Sequence, residues 1–316
     1  MSKYRKQLPQ ISGGLFLTDG GIETTLIFQD GLELPYFAAF HLLNGAEGRE
    51  ALLRYYERYI AIAKADGVGF VLESPTWRAS TDWGDRLGYS HDEIADANRQ
   101  SIGMMRQLRD KHESPASPMV ISGCVGPRGD GYDPGQVMSV DEAQGYHAHQ
   151  VAALAEAGAD MIGAITMTNV NEALGVARAA VRQRMPVAIS FTLETDGRLP
   201  TGQALSEAIG ELDATLTEDR PVYYMINCAH PIHFAETLRA PTAWTTRIRG
   251  VRANASRRSH KELNDASDLD AGDPIELGGQ YRDLLGRHPQ INVLGGCCGT
   301  DHRHIECISR ACRPPA

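Results

Sequence analysis

Hydrophobic and polar positions divide the chain into eight short apolar runs separated by longer amphipathic stretches. Most of these runs are apolar on both faces, which is typical of parallel strands covered by helices. The pattern predicts β-strands over residues 14–19, 68–74, 119–125, 160–166, 186–192, 221–228, 247–254 and 291–297. We therefore expect a parallel sheet whose strands alternate with helices.

The amphipathic stretches carry helix signals. Residues 51–67 repeat apolar side chains along one helical stripe and end in glycine, a common C-terminal cap. Ser90 and Ser139 each stand three residues before a glutamate, the capping-box pattern that begins a helix. Residues 171–184 form a further amphipathic helix candidate.

Eight strands alternating with helices predict a single-domain α/β fold, a (β/α)8 TIM barrel, assigned here to residues 1–316. A doubly wound open sheet is the alternative, but no glycine-rich dinucleotide fingerprint follows the first strand. The long polar stretch 257–274 is predicted to be a solvated loop with a short helix. A lid or an oligomer contact is the alternative for that stretch.

The composition is that of an ordinary globular protein, with 42% hydrophobic and 22% charged residues in a chain of 316. The net charge of −9 disfavours binding to nucleic acid or to an anionic membrane. No apolar run reaches membrane-spanning length, and the N-terminal residues lack the apolar core of a signal peptide. We expect a cytoplasmic protein.

Six cysteines are too few for a disulfide framework, and in a reducing compartment clustered thiols indicate metal binding or catalysis. Three of them lie at the ends of predicted strands: Cys228 ends the sixth, Cys297 ends the eighth, and Cys298 follows it directly. Because the chemistry of a barrel gathers at the carboxyl ends of its strands, we expect these thiols to converge. Three thiolates suit zinc, and three protein ligands leave a position open for water or substrate.

The remaining histidines and cysteines carry weaker signals. His230 and His233 are alternative metal ligands, although surface or supporting positions suit them better. Cys124 is predicted to pack within a strand, and Cys307 and Cys312 to lie in the final helix and tail.

Three segments carry a resemblance to a known family: LTDGGIETTL (17–26), INCAHP (226–231) and NVLGGCCGTDHRHI (292–305). They resemble the homocysteine S-methyltransferases, which are zinc-dependent (β/α)8 barrels. The resemblance implies that Cys228, Cys297 and Cys298 bind zinc and act in catalysis. It also implies an amino-acid pocket, to which we assign Asp19, Gly20, Gly21, Glu23, Thr76, Thr166, Asn227 and Gly296.

The chain departs from the family at one position of this pocket. Many members carry a glutamate there, thought to hold the amino group of homocysteine, whereas this chain has Ile165 followed by Thr166. Either Asp19 or Glu23 takes that role, or the acceptor is a different thiol.

The segment after the second strand, SPTWRAS at 74–80, bears on the methyl donor. Trp77, Trp83 and Tyr89 are candidates for aromatic faces that hold a cationic donor, with ordinary packing as the alternative. Arg78 indicates an anionic group nearby, with a surface salt bridge as the alternative.

Together these features predict an enzyme that moves a methyl group from a small onium donor to a thiol, with L-homocysteine as the acceptor and methionine as the product. The donor is expected to be a free small molecule or to be presented by a separate corrinoid protein, and the chain allows a homo-oligomer. The alternatives are a methyltransferase for another acceptor, a zinc hydrolase, and a structural or redox zinc–thiolate protein. The ligand type disfavours the hydrolase, because hydrolytic zinc sites usually use histidine and carboxylate.

Overall fold

Eight parallel strands close into a barrel in the computed structural model, which describes residues 2–266 and 268–313. The strands pair in chain order, and the first also pairs with the last. This confirms the predicted (β/α)8 barrel and excludes the open doubly wound sheet. The strands are β1 (Phe16–Leu17), β2 (Gly69–Glu73), β3 (Met119–Val125), β4 (Met161–Met167), β5 (Val187–Thr192), β6 (Tyr223–Asn227), β7 (Ile248–Ala253) and β8 (Val293–Gly296).

Helices connect the strands around the outside of the barrel. They are α1 (Ala46–Asp66), α2 (Thr81–Arg86), α3 (His91–His112), α4 (Val140–Ala157), α5 (Val170–Arg182), α6 (Leu205–Leu216), α7 (Pro231–Phe234), α8 (His260–Asn264), α9 (Pro274–Arg287) and α10 (His302–Cys312). The predicted capping boxes form, because the Ser90 and Ser139 side chains accept hydrogen bonds from backbone N–H groups three residues on. The helix predicted over 51–67 lies in α1, and Gly67 caps it in the left-handed conformation with φ 63°.

The first strand is shorter than the predicted 14–19 because the chain turns early toward the mouth of the barrel. The Thr18 N–H still bonds to the Leu294 carbonyl at 2.8 Å, which continues the ladder with β8. The Gly21 N–H then bonds to the Thr300 carbonyl at 3.0 Å. A π-helical turn, Thr24–Gln29, follows.

The inside of the barrel changes from apolar to polar along the strands. The layer near the amino ends is apolar and consists of Leu8, Phe16, Val71, Val120, Met161, Ala188, Tyr223, Met225 and Val293. The inward-facing residues two positions further along several strands are polar: Glu73, Ser122, Ser190, Asn227 and Arg252. Since side chains alternate along a strand, this change marks the carboxyl ends as the functional end. Within the described ranges, no helix is long and apolar enough to cross a membrane.

A buried acceptor, Asp160, fastens the opposite, amino end of the barrel. Its Oδ1 accepts hydrogen bonds from the backbone N–H groups of Lys3 and Tyr4 at 2.7 and 2.8 Å. Its Oδ2 accepts from the Ile121 N–H at 2.9 Å and from Arg109 Nη1 at 2.7 Å. This carboxylate therefore joins the N-terminal segment, α3 and β3 at the start of β4.

Replacing Asp160 with asparagine is expected to lower the free energy of unfolding by about 3–5 kcal/mol, because the Arg109 charge stays buried without its partner. Urea denaturation measures the change. Metal content of the folded protein should be unaffected, since the thiol cluster lies at the other end of the barrel. Asp96→Asn is the matched control, because its pair with Arg99 is exposed and worth at most about 1 kcal/mol. Equal losses in the free energy of unfolding for the two variants would contradict the role of Asp160 as the buried partner of Arg109.

Candidate functional site

Three thiols meet at the carboxyl ends of β6 and β8. Cys228 follows β6 directly, and Cys297 and Cys298 follow β8. The Cys228 sulfur lies 2.6 Å from that of Cys297 and 3.7 Å from that of Cys298. The structure thus brings together the three cysteines that the sequence analysis selected.

The backbone bends tightly to produce this convergence. Cys228 adopts a left-handed conformation with φ 53°, which is uncommon for a residue with a side chain. A Cβ on Gly296 would overlap Thr300, so only glycine lets these segments approach so closely. Strain and close approach of this kind are typical of functional sites.

The cluster favours one thiolate even without a metal ion. Hydrogen bonds from the Cys228 and Cys298 thiols lower the pKa of Cys297 well below its usual value, and the Arg252 charge acts in the same direction. The hydrogen bond to that sulfur raises the pKa of Cys228 well above its usual value. A metal cation would replace the shared protons and stabilise the other thiolates.

The geometry and the donors both fit a metal ion. In the part of the chain that the structure describes, these cysteines form the one group of histidine, cysteine or acidic side chains close enough to share an ion, with sulfurs within 4.8 Å of one another. Zinc–sulfur bonds of about 2.3 Å in a tetrahedron set sulfur–sulfur edges of roughly 3.8 Å. The Cys228–Cys298 distance matches this edge, and the Cys228–Cys297 distance must widen.

Neither histidine proposed as an alternative ligand belongs to this group. The His230 side chain caps α7 by accepting from the Ile232 N–H at 3.3 Å. His233 Nε2 lies 2.9 Å from the Arg257 carbonyl and donates to it. Both rings therefore have supporting positions beside the site.

Tyr132 and His260 lie against the thiols, and the sequence analysis selected neither. The Tyr132 hydroxyl is 3.2 Å from the Cys298 sulfur and 3.9 Å from the Cys228 sulfur. Its ring stacks on His260 with centroids 4.0 Å apart, and His260 Nε2 donates to the Cys228 carbonyl at 2.6 Å. Tyr132 comes from the loop between β3 and α4, where no local pattern indicates its position.

The polar stretch 257–274 is a loop containing the short helix α8, as predicted, but it is not wholly solvated. His260 is only 6% exposed and supports the backbone beside the thiols. Residue 267 lies outside the described ranges.

Beneath the thiols, a buried charge network surrounds Arg252. Arg252 Nη2 donates to Asp19 Oδ1 at 2.6 Å, and the Tyr55 hydroxyl donates to Asp19 Oδ2 at 2.8 Å. Arg252 Nε also donates to the Gly296 carbonyl at 3.2 Å. Burial raises the pKa of Glu73 to about 7, whereas the Arg252 charge, 3.5 Å away, opposes that rise. Because Arg252 and Tyr55 each donate to one of the two Asp19 oxygens, both are occupied by the protein itself.

Glu23 differs from Asp19, because its carboxylate is only half-buried and stands close to the mouth. Among the described residues, no side chain donates a hydrogen bond to it. Burial raises the pKa of Glu23 to about 7, a rise to which the Cys297 charge adds and which the Arg78 charge opposes. Glu23 is thus an acidic group near the thiols, and no described side chain donates a hydrogen bond to it.

The other predicted pocket residues shape the mouth through backbone and side-chain hydrogen bonds. Asn227 accepts from the Thr166 N–H at 2.9 Å and donates to the Thr166 hydroxyl at 2.8 Å, which holds Thr166 at φ 66°. A Cβ on Gly21 would lie 2.7 Å from the Cys297 carbonyl, so Gly20 and Gly21 bring the β1 loop against the cluster. Thr76 is fully buried and donates to the Cys124 carbonyl at 2.7 Å, a packing role.

The aromatic candidates separate into two groups. The Trp77 and Trp83 rings lie 3.9 and 3.8 Å from the Arg78 guanidinium carbon, so Arg78 occupies a face of each. Tyr89 packs on Phe40, with ring centroids 5.5 Å apart, and is part of the outer packing. Arg78 is 4% exposed, so the surface salt bridge is excluded.

The remaining cysteines lie where they were predicted. Cys124 is buried in β3, and Cys307 and Cys312 lie in α10. Ile165 is 6% exposed and places an apolar side chain beside Thr166.

Comparison with known proteins agrees with this arrangement. Homocysteine S-methyltransferase 4 of Zea mays is 24% identical, covering 96% of this chain and 90% of that protein. Selenocysteine Se-methyltransferase of Brassica oleracea var. italica is 25% identical, covering 96% and 91%. Two crystal structures of the homocysteine methyltransferase MmuM from Escherichia coli are 20% identical in sequence to this chain. The oxidized form has a TM-score of 0.76, and the match covers 98% of this chain and 99% of that chain. The metallated form has a TM-score of 0.70, and the match covers 97% of this chain and 99% of that chain.

These structures share the fold, and the family is decided by the sequence itself. Residues 16–312 match the family described as Homocysteine S-methyltransferase. Because the match covers nearly the whole chain, this protein belongs to the homocysteine S-methyltransferase family and is a methyltransferase.

Proposed function

We propose that this protein is a zinc-dependent S-methyltransferase that transfers a methyl group from a small onium donor to L-homocysteine, giving methionine. The observation that carries the proposal is the cluster of Cys228, Cys297 and Cys298, which has no fourth histidine, cysteine or acidic neighbour within the described ranges. Three protein ligands are the pattern of a catalytic zinc site, which keeps one position for a substrate.

Zinc bound by the three cysteines would supply a position at which a substrate thiol loses its proton near neutral pH. The transfer forms a bond between the acceptor sulfur and the methyl carbon and breaks the bond between that carbon and the onium atom. The thiolate thereby becomes a neutral thioether and the onium atom of the donor becomes neutral. The transfer itself therefore needs no general base. The enzyme has to align sulfur, methyl carbon and leaving group.

The residues around the cluster support this role in distinct ways. Tyr132 can donate a hydrogen bond to the Cys298 or Cys228 sulfur. Three thiolates carry one negative charge more than a divalent ion neutralises, so the metal-loaded cluster would be anionic. The resulting negative potential attracts a cationic donor.

We assign the ammonium group of the acceptor to Glu23. Ile165 offers no charge, and both oxygens of Asp19 are occupied by Arg252 and Tyr55. Glu23 is half-buried, receives no hydrogen bond from a described side chain, and has its pKa raised by the nearby Cys297 charge. A thiol without an ammonium group is the second candidate acceptor, because Ile165 supplies no carboxylate at the position where many family members carry a glutamate.

The non-enzymatic alternative, a structural zinc site, requires a fourth protein ligand, and the positions of His230 and His233 do not favour one. The hydrolase remains disfavoured by the all-thiolate ligand set.

Cys298→Ala is expected to reduce zinc from about one ion per chain to a small fraction and to abolish methyl transfer, because two thiolates cannot replace three. Elemental analysis and methionine formation measure these effects. Cys307→Ala is the control, since Cys307 lies in α10, outside the cluster. A folded Cys298→Ala protein with full zinc and full turnover would refute the assignment.

Glu23→Gln is expected to raise the KM for L-homocysteine by roughly 10- to 100-fold, the usual effect of losing a hydrogen bond between charged groups. The KM for 4-mercaptobutanoate, which lacks the ammonium group, should not change, and neither should zinc content. Glu33→Gln, an exposed change in the same segment, is the control. A parallel rise in KM for both thiols would show that Glu23 does not contact the ammonium group.

The effect of this variant should also depend on pH. Because the pKa of Glu23 is about 7, its carboxyl is ionised above that pH and neutral below it. The difference in KM between the wild type and the variant should therefore be full above neutral pH and shrink below about pH 6. A difference that is constant across this range would contradict the charge-based role.

A further inference from the structure

Arg78 is a buried arginine at the mouth of the barrel. It lies in the segment after β2 and is 4% exposed. Its Nη1 donates to the Gly129 carbonyl at 2.7 Å, whereas its Nε is buried and has no hydrogen-bond partner within the described ranges. Among the residues that the structure describes, no carboxylate oxygen lies within 4.0 Å of its guanidinium nitrogens.

The charge on Arg78 is therefore not neutralised where it lies. Burial lowers the pKa of Arg78 to about 10, which still leaves it charged at neutral pH. Glu23 and Asp130 attract it from a longer range and lie in the loops after β1 and β3. A buried charge without a close counter-ion is unfavourable, so a bound anion would stabilise this arrangement.

The surroundings of Arg78 favour the binding of an anion at this position over the binding of a cation. Trp77 and Trp83 each present a ring face to its guanidinium, at 3.9 and 3.8 Å. Those faces are the ones that could otherwise attract a methylated cation. This wall of the mouth therefore carries positive charge, and the buried Nε of Arg78 is a donor that the described residues leave unused.

Arg78 is also close enough to the thiols to act on the same substrate. A Cβ on Gly131 would lie 3.2 Å from the Trp77 ring and 3.4 Å from the Thr166 methyl group. The next residue, Tyr132, reaches the Cys298 sulfur at 3.2 Å. One layer of side chains thus separates the Arg78–Trp77 stack from the cluster.

We propose that Arg78 binds the carboxylate of a substrate at the mouth of the barrel. The inference rests on the proposed function for its setting, and it adds the residue that holds the carboxylate of a substrate. Arginine suits this role because its planar fork can donate two parallel hydrogen bonds to one carboxylate. The carboxylate can belong to the methyl donor or to the thiol acceptor, and the two sources are separable by experiment.

The kinetic experiment uses two pairs of substrates that differ only in the carboxylate. The donor pair is S-methylmethionine and dimethyl(3-aminopropyl)sulfonium, and the acceptor pair is L-homocysteine and 3-aminopropanethiol. Each pair is measured with the zinc-loaded wild type, Arg78→Gln, Arg78→Lys and the control Arg86→Gln. Arg86 is exposed, and its guanidinium carbon lies 4.4 Å from the centroid of the Trp83 ring. Arg86→Gln therefore measures the effect of losing a stacked charge alone.

The wild type should prefer the carboxylate-bearing member of one pair by about 30-fold or more in kcat/KM, as a charged hydrogen bond implies. Arg78→Gln should abolish that preference by slowing only that member, Arg78→Lys should retain part of it, and Arg86→Gln should leave it unchanged. The affected pair identifies the donor or the acceptor as the source. A wild type without preference in either pair, or an Arg78→Gln protein slowed equally on all four compounds, would overturn the proposal.

A binding measurement separates this proposal from the proposed function. L-Methionine and its decarboxylated analogue, 3-(methylthio)propylamine, are titrated calorimetrically into the same variants. We expect the Kd for L-methionine to rise about 30-fold in Arg78→Gln. If the wild type transferred no methyl group, this rise would still support the carboxylate site, although the proposed methyltransferase function would be wrong. An unchanged Kd for L-methionine, or no binding of L-methionine to the wild type, would overturn the carboxylate site.

Discussion

Two backbone hydrogen bonds to β7 hold the thiol cluster together. The Cys228 N–H bonds to the Arg252 carbonyl at 3.2 Å, and the Cys297 N–H bonds to the Ala253 carbonyl at 2.8 Å. One strand thus fixes, from both sides, thiols that are far apart in the sequence. Because a closed barrel leaves no free edge at β7, the spacing of the sulfurs follows from the fold and does not depend on a flexible loop.

The same strand supplies the charge below the cluster. Arg252 contacts Asp19, Glu73 and the Gly296 carbonyl, so its guanidinium links β1, β2 and β8 in the polar layer of the barrel. This leaves the acidic groups of the floor largely occupied by the protein. Glu23 and Arg78 lie nearer the mouth and carry charges of opposite sign, a pairing suited to a zwitterionic amino acid.

The fold and the thiol cluster were predictable because both depend on short, local patterns. Eight apolar runs predict eight strands, and a cysteine directly after β6 or β8 must lie at the carboxyl end whatever the loops do. The positions of Tyr132 and His260 were not predictable, since they depend on how two long loops pack. Arg252 could have been noticed, because a charged residue near the end of a buried strand points either into the barrel or toward the helices. The burial of Arg78 depends on Trp83 in α2, a contact that local spacing does not predict.

The proposed methyl transfer requires an open zinc site that accepts a substrate thiol. Zinc K-edge X-ray absorption on the reduced protein, with and without L-homocysteine, tests this claim most directly. We predict three sulfur ligands from Cys228, Cys297 and Cys298 in the free protein and a fourth sulfur when L-homocysteine is added. A zinc shell already closed by a fourth protein ligand, and unchanged by the thiol, would contradict the account and indicate a structural site.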